Sequence, residues 1–238
     1  MSTGESDLTG SLNKKQSLAV VLASGGLDSA VCLAEATRRF EVALLHINYG
    51  QRTEARELRA FRELADHYEI TRRLVADISY LKEIGGSSLV DENLQVETGM
   101  PTGKSEVPST YVPFRNAHIL CVGVSWAEVT GAEALFIGAV EEDGSGYPDC
   151  REEFYRKFSA AVDAGTKPDT KIAIMTPLIG MDKAAIVRRG IELDVPLELT
   201  WSCYTESEEA CGVCESCRLR LRGFERAGIK DPIPYRRP

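Results

Sequence analysis

No run of apolar residues in this 238-residue chain is long enough to span a bilayer. The opening residues, MSTGESDLTGSLNKKQ, hold no apolar core of the kind an export signal needs. A basic surplus is missing too: 28 Lys and Arg stand against 36 Asp and Glu, a formal charge of −8. That balance argues against a broad nucleic-acid surface, which rests on a basic stripe. Histidine is scarce, and His46, His67 and His118 are too scattered to propose a metal site. What remains is the composition of an ordinary soluble globule, 43% hydrophobic and 27% charged. The expected compartment is the cytoplasm, with no membrane partner.

Short apolar runs alternate with amphipathic stretches along the chain. Leu18–Ala23, Val42–Ile47, the TRRLVAD segment, Ala134–Gly138 and Lys171–Leu178 read as strands. Residues 28–39, Thr53–Tyr68, Asn116–Val129, Arg151–Ala164 and 182–193 read as helices, the last with Asp182 at its start. The alternation predicts an α/β fold with a doubly wound, mostly parallel sheet and helices on both faces. Residues 1–16 read as a disordered tail, 17–200 as the main domain, and 201–238 as a small cysteine-bearing segment packed on it. Residues 79–112 have weak periodicity and several Gly, Pro and Ser, as expected of a lid or binding loop.

The stretch VVLASGGLDSAVC, Val20 to Cys32, is a strand, a glycine turn and a helix start. Glycines there let the backbone approach a ligand, and the helix offers free N–H groups. Ser24 and Ser29 add hydroxyls, and Asp28 either holds magnesium or caps the helix. The loop lacks the lysine of a P-loop and the spacing of a dinucleotide fingerprint. It suits a departing pyrophosphate better than a γ-phosphate in transit, and a plain strand–helix turn is the alternative.

Seven cysteines include four between Cys203 and Cys217. Cys203, Cys211, Cys214 and Cys217 can close a tetrahedron around a structural zinc ion, with an iron–sulfur cluster or free thiols as alternatives. Arg218, Arg220 and Arg222 follow at once and would offset the thiolate charge. Cys32 and Cys121 read as small core residues. Cys150, in GYPDCR, is a candidate nucleophile, although an adenylating enzyme needs no covalent thiol.

SGGLDS resembles the PP-loop of the adenylating ATP pyrophosphatase superfamily, which implies ATP with magnesium and an adenine nucleotide alpha hydrolase-like fold. On that likeness Ala23, Ser24, Gly25, Gly26, Leu27, Asp28 and Ser29 would bind ATP. Four further stretches complete a pattern: PSTYVPFRN (Pro108–Asn116), SGYPDCREEF (Ser145–Phe154), TPL (Thr176–Leu178) with Lys183 behind it, and TWSCY…CGVCESCRLR. Together they resemble the QueC family over roughly residues 17–228. The resemblance implies an ATP-dependent ligase that turns 7-carboxy-7-deazaguanine and ammonia into a nitrile, 7-cyano-7-deazaguanine (preQ0), for queuosine biosynthesis. It also implies a zinc-binding cysteine quartet and a homodimer. Phe114 departs from the family pattern, in which a small residue is more usual before Arg115.

Asp28, Ser29, Arg115 and Lys183 are the expected catalytic residues. Gln51, Arg52, Arg115, Asn116, Tyr147, Asp149 and Arg151 are the expected substrate-binding residues. Arg115 would grip a carboxylate or phosphate, or form a surface ion pair. Asp149 would pair with a guanine-like edge while Tyr147 stacks on the ring, or Asp149 would cap the helix near Arg151. Gln51 and Arg52 follow a strand end, where open sheets bind ligands, or form an ordinary connection. Two other functions stay open: an adenylating enzyme that stops at the amide or acylates another amine, and a zinc-ribbon nucleic-acid binder. The latter would use Arg218, Arg220, Arg222, Arg226 and Lys230 as a basic helix, against the overall negative charge.

Overall fold

Leu18–Leu22 (β1) is apolar at every position because the strand is buried on both faces. It lies at the centre of a five-stranded parallel sheet in a computed structural model that describes residues 16–96, 107–141 and 146–236. All but the last residue of the expected tail at 1–16 lies outside the described residues. The other strands are Glu41–Asn48 (β2), Arg73–Asp77 (β3), Ala134–Ile137 (β4) and Ala173–Met175 (β5), in the order β3-β2-β1-β4-β5. The chain therefore steps outward from β1 to β3, then returns to the other side of β1. The switch point lies between β1 and β4, whose carboxyl ends open the crevice where such sheets take ligands.

The helices are Leu27–Thr37 (α1), Glu54–His67 (α2), Tyr80–Ile84 (α3), Arg115–Thr130 (α4), Glu152–Gly165 (α5), Lys183–Glu192 (α6) and Glu215–Ala227 (α7). Alternate strand residues feed two cores. Ala19, Val21, Leu44 and Phe136 face α1, α2, α6 and α7, through Leu33, Phe61, Ile186 and Phe224. Val20, Leu22, Leu45 and Leu135 face α3, α4 and α5, through Leu81, Leu120 and Val162. Asp182 caps α6 as expected, its Oδ1 accepting the Ala185 N–H at 2.7 Å.

Some expectations change. β5 pairs only over Ala173–Met175, shorter than the expected Lys171–Leu178, because Pro177 has no N–H for the ladder and β4 offers few partners. The basic stretch Cys217–Ala227 reads as a helix in the sequence, but the helix begins at Glu215, so Cys217 lies inside it. Cys32 is fully buried, but Cys121 is exposed on the outer side of α4 and is not a core residue. Within the expected 79–112 loop, α3 forms and Leu89, Val90 and Val112 join the second core. Residues 97–106, where a lid would have its tip, lie outside the described residues.

Gly138, just after β4, sits against the start of α1: a Cβ there would lie 2.8 Å from the Asp28 carbonyl oxygen and 3.0 Å from the Ser29 nitrogen. Neither backbone atom can yield cheaply. Gly138→Ala is expected to destabilise the protein by about 1–3 kcal/mol and to weaken nucleotide binding. A thermal melt and an ATP titration check both, and unchanged values would mean that α1 can move away without cost.

Candidate active site

The turn from β1 into α1 is shaped by its neighbours. Gly25 adopts φ +86°, and a Cβ there would fall 2.7 Å from both the Ala60 Cβ and the Glu57 carbonyl oxygen. Only glycine fits this close approach to α2. From the other side, the Trp201 N–H donates to the Gly25 carbonyl at 2.8 Å. The first N–H groups of α1, on Leu27, Asp28 and Ser29, have no partner within the helix, and no side chain caps them. Ser24 Oγ accepts the Gly26 N–H at 3.2 Å, while Ser29 Oγ donates to the Gly26 carbonyl at 2.9 Å. The two hydroxyls thus brace the loop around a helix start built to receive an anion.

The lysine missing from this loop arrives from elsewhere in the chain. Lys183, the first residue of α6, places its Nζ 2.7 and 2.9 Å from the two oxygens of Asp28. Asp28 therefore does not cap α1; its carboxylate is paired with an ammonium at the loop.

This corner belongs to a cavity of about 340 Å³ between the carboxyl ends of the strands and the cysteine segment. The size suits a small ligand. Ala23, Ser24, Gly26, Leu27, Asp28, Ser29 and Lys183 line it together. Arg115, Asn116 and Tyr147 line it as well, at the start of α4 and the turn before α5. Arg115 donates to Tyr49 Oη at 3.2 Å, and its guanidinium lies 5.1 Å from the centre of that ring. Among the described residues no carboxylate stands within ion-pair distance of Arg115. It is a cation in a recess, open to an anion from outside.

Four expected substrate contacts are placed otherwise. Gln51 is buried, accepting the Tyr49 N–H and donating to Glu57. Arg52 donates to the carbonyls of Ser88, Asp91 and Leu94, pinning that segment to the body. Asp149 is buried, and its Oδ2 accepts the Asn116 N–H at 2.9 Å. It serves the start of α4, not the start of α5. Arg151 is exposed at the start of α5. None of the four is among the residues lining the cavity.

Tyr49, Glu57, Trp201, Ser202 and Tyr204 line the cavity without having been foreseen. A tyrosine after a strand is ordinary, and Glu57 looks like any polar residue of an amphipathic helix. Burial pushes the phenols of Tyr49 and Tyr147 up to about 12 and the thiol of Cys150 to about 11, so all three keep their protons at neutral pH. Burial also lifts Glu57 to about 7, against hydrogen bonds from Thr53 and Gln51 that favour the carboxylate.

The wall opposite the sheet comes from the cysteine segment. The sulfurs of Cys203, Cys211, Cys214 and Cys217 all lie within 4.8 Å of one another. Cys211 and Cys217 Sγ are 3.8 Å apart, and a tetrahedron with zinc–sulfur arms of about 2.3 Å has edges of about that length. The N–H groups of Val213 and Cys214 point at Cys211 Sγ, a bond suited to a thiolate. These residues fit a closed four-sulfur metal site.

Two of the arginines after the quartet bond to groups other than the sulfurs. Arg218 donates to the Val213 carbonyl. Arg220 is buried at 1% exposure and bonded to both oxygens of Asp231, at 2.7 and 3.0 Å, and to Thr200. It staples the segment internally, so Arg220 is lost from the expected basic face, while Arg218, Arg222 and Arg226 remain exposed four residues apart along α7.

The family model for the queuosine biosynthesis protein QueC matches residues 18–228. The chain belongs to the QueC family. Among its QueC relatives, the 7-cyano-7-deazaguanine synthase of Chlorobium phaeobacteroides (strain DSM 266) is 60% identical over 91% of this chain and 96% of that protein. The 7-cyano-7-deazaguanine synthase of Chloroherpeton thalassium is 57% identical over 92% and 96%. Likeness to solved structures is remote. The U34-tRNA thiolase NcsA of Methanococcus maripaludis aligns at 15% identity and a TM-score of 0.44, covering 88% of this chain and 65% of that one.

Among the described residues no helix of this QueC chain is long and apolar enough to cross a membrane. Cys214→Ser is expected to lower the bound metal from one equivalent per chain to near zero, read by elemental analysis. It should also lower the Tm, because metal affinity and folding are linked at such sites. Full metal content in the variant would remove Cys214 from the ligand set.

Proposed function

We propose that the chain is an ATP-dependent ligase that joins 7-carboxy-7-deazaguanine and ammonia and carries the product on to the nitrile. The observation that carries this reading is the pairing, in one cavity, of an uncapped helix start beside Lys183 with Arg115, which has no carboxylate partner among the described residues and lies among tyrosines. One end suits the phosphates of ATP, and the other suits a planar aromatic carboxylate. The names of the relatives supply the product, 7-cyano-7-deazaguanine.

A carboxylate is a poor electrophile, so its oxygen must first become a leaving group. The substrate oxygen attacks the α-phosphorus, the α–β bond breaks, and pyrophosphate leaves toward the N–H groups of Leu27, Asp28 and Ser29. Lys183 is close enough to the loop to follow that charge. Ammonia then attacks the acyl carbon and AMP departs, giving the amide. A second ATP activates the amide oxygen in the same way. Loss of AMP and of the nitrogen-bound protons leaves the carbon–nitrogen triple bond.

Arg115 orients the carboxylate for its activation, while the rings of Tyr49, Tyr147 and Tyr204 enclose the base. Magnesium, which Asp28 would hold, neutralises phosphate charge when bound. Zinc in the cysteine quartet would have a structural role, since four thiolates leave no position for substrate.

Two experiments test this reading. Protein incubated with magnesium-ATP, ammonium and 7-carboxy-7-deazaguanine should yield, by mass spectrometry, the nitrile and two AMP per nitrile. The amide with one AMP would show an enzyme that stops halfway, and no base-dependent AMP would end the proposal. Separately, Arg115→Met should raise the KM for the carboxylate roughly 10- to 100-fold, the loss of a charged hydrogen bond, with little change in the KM for ATP. Equal effects on both would place Arg115 on the phosphates.

A further inference from the structure

Of the two carboxylates that line the cavity, Asp28 is paired with Lys183, and Glu57 has no cation within ion-pair distance among the described residues. Glu57 stands in the first turn of α2, whose backbone is packed against Gly25, so its position relative to the glycine loop is set by rigid elements. Thr53 Oγ1 donates to its Oε1 at 2.9 Å, and Gln51 Nε2 donates to its Oε2 at 3.2 Å. Each oxygen keeps a lone pair for a further donor. Arg115 and Tyr49 are its electrostatic neighbours on the cavity side, and Glu54 on its own helix. A carboxylate held this way, beside the guanidinium that would receive the substrate, needs a reason to be there, because burying it uncompensated is costly.

We propose that Glu57 is the general base that takes a proton from ammonium beside the activated acyl carbon; this rests on the ligase reading above. Ammonium is the dominant form of the nitrogen donor at neutral pH, and it has no lone pair for attack. One N–H of the ion hydrogen-bonds to the Glu57 carboxylate and transfers its proton, leaving ammonia and the neutral carboxyl group. The nitrogen lone pair then forms the C–N bond. The tetrahedral intermediate releases its second proton to water, and the C–O bond to phosphate breaks with its electron pair on AMP. The carboxyl group returns its proton to solvent before the next cycle. The other cavity groups are poorly suited: Asp28 is held by Lys183, and Tyr49, Tyr147 and Cys150 keep their protons.

The test compares two nitrogen donors in the full-length Glu57→Gln variant. Hydroxylamine is neutral at the assay pH and needs no base before it attacks. The variant should lose at least about 100-fold in ammonium-supported turnover, while hydroxamate formation from hydroxylamine stays within about threefold of the wild type. Carboxylate-dependent exchange of pyrophosphate into ATP should persist, which shows that the variant folds and activates its substrate. Equal loss with both donors would overturn the proposal and make Glu57 a shaping residue. So would loss of exchange in the variant alone. Absence of exchange in the wild type would instead sink the ligase reading, and this proposal with it.

Discussion

Three stretches of backbone close on the glycine turn after β1, and the site depends on how near they come. The first turns of α2 press on Gly25, the end of β4 brings Gly138 against Asp28 and Ser29, and Trp201 donates its N–H to the Gly25 carbonyl. Each approach removes room for a side chain and aims the start of α1 into the cavity. An anion there meets N–H groups fixed before it arrives, so little reorganisation is needed when charge develops. The same packing sets Glu57 and Trp201 around the loop.

Charge is arranged to suit that centre. The chain is acidic overall, yet Lys183 and Arg115 both face the cavity. Lys183 is balanced by Asp28, and among the described residues Arg115 is left without a carboxylate partner. In a partly dry recess an unmatched cation attracts an anionic group far more strongly than it would at the surface. An acidic chain thus still holds two positive groups where a ligand can use them.

The cysteine segment is part of the same machinery. Trp201, Ser202 and Tyr204 form cavity wall directly before or beside Cys203. Four clustered sulfurs and the buried Arg220–Asp231 pair make this short stretch rigid without a large apolar core of its own. A small segment needs such cross-links, because it cannot bury enough surface to order itself. A metal there would act at a distance, by holding the wall in place.

The strand and helix pattern, the glycine turn and the cysteine spacing were all legible in the linear chain, because each depends on residues close together in sequence. Apolar runs mark strands buried on both faces, glycines mark a close approach, and short gaps between cysteines let sulfurs converge. What the linear chain could not show was which distant residues meet. Lys183 reaches Asp28 across 155 positions, Asp149 serves α4 instead of α5, and Arg220 turns inward although its neighbours read as a basic surface. Tyr49 and Glu57 enter the site for the same reason: β2 ends beside β1, and α2 packs on the loop. Local chemistry is written in neighbouring residues, but a cavity is made by chain segments that only folding brings within a few ångströms of one another.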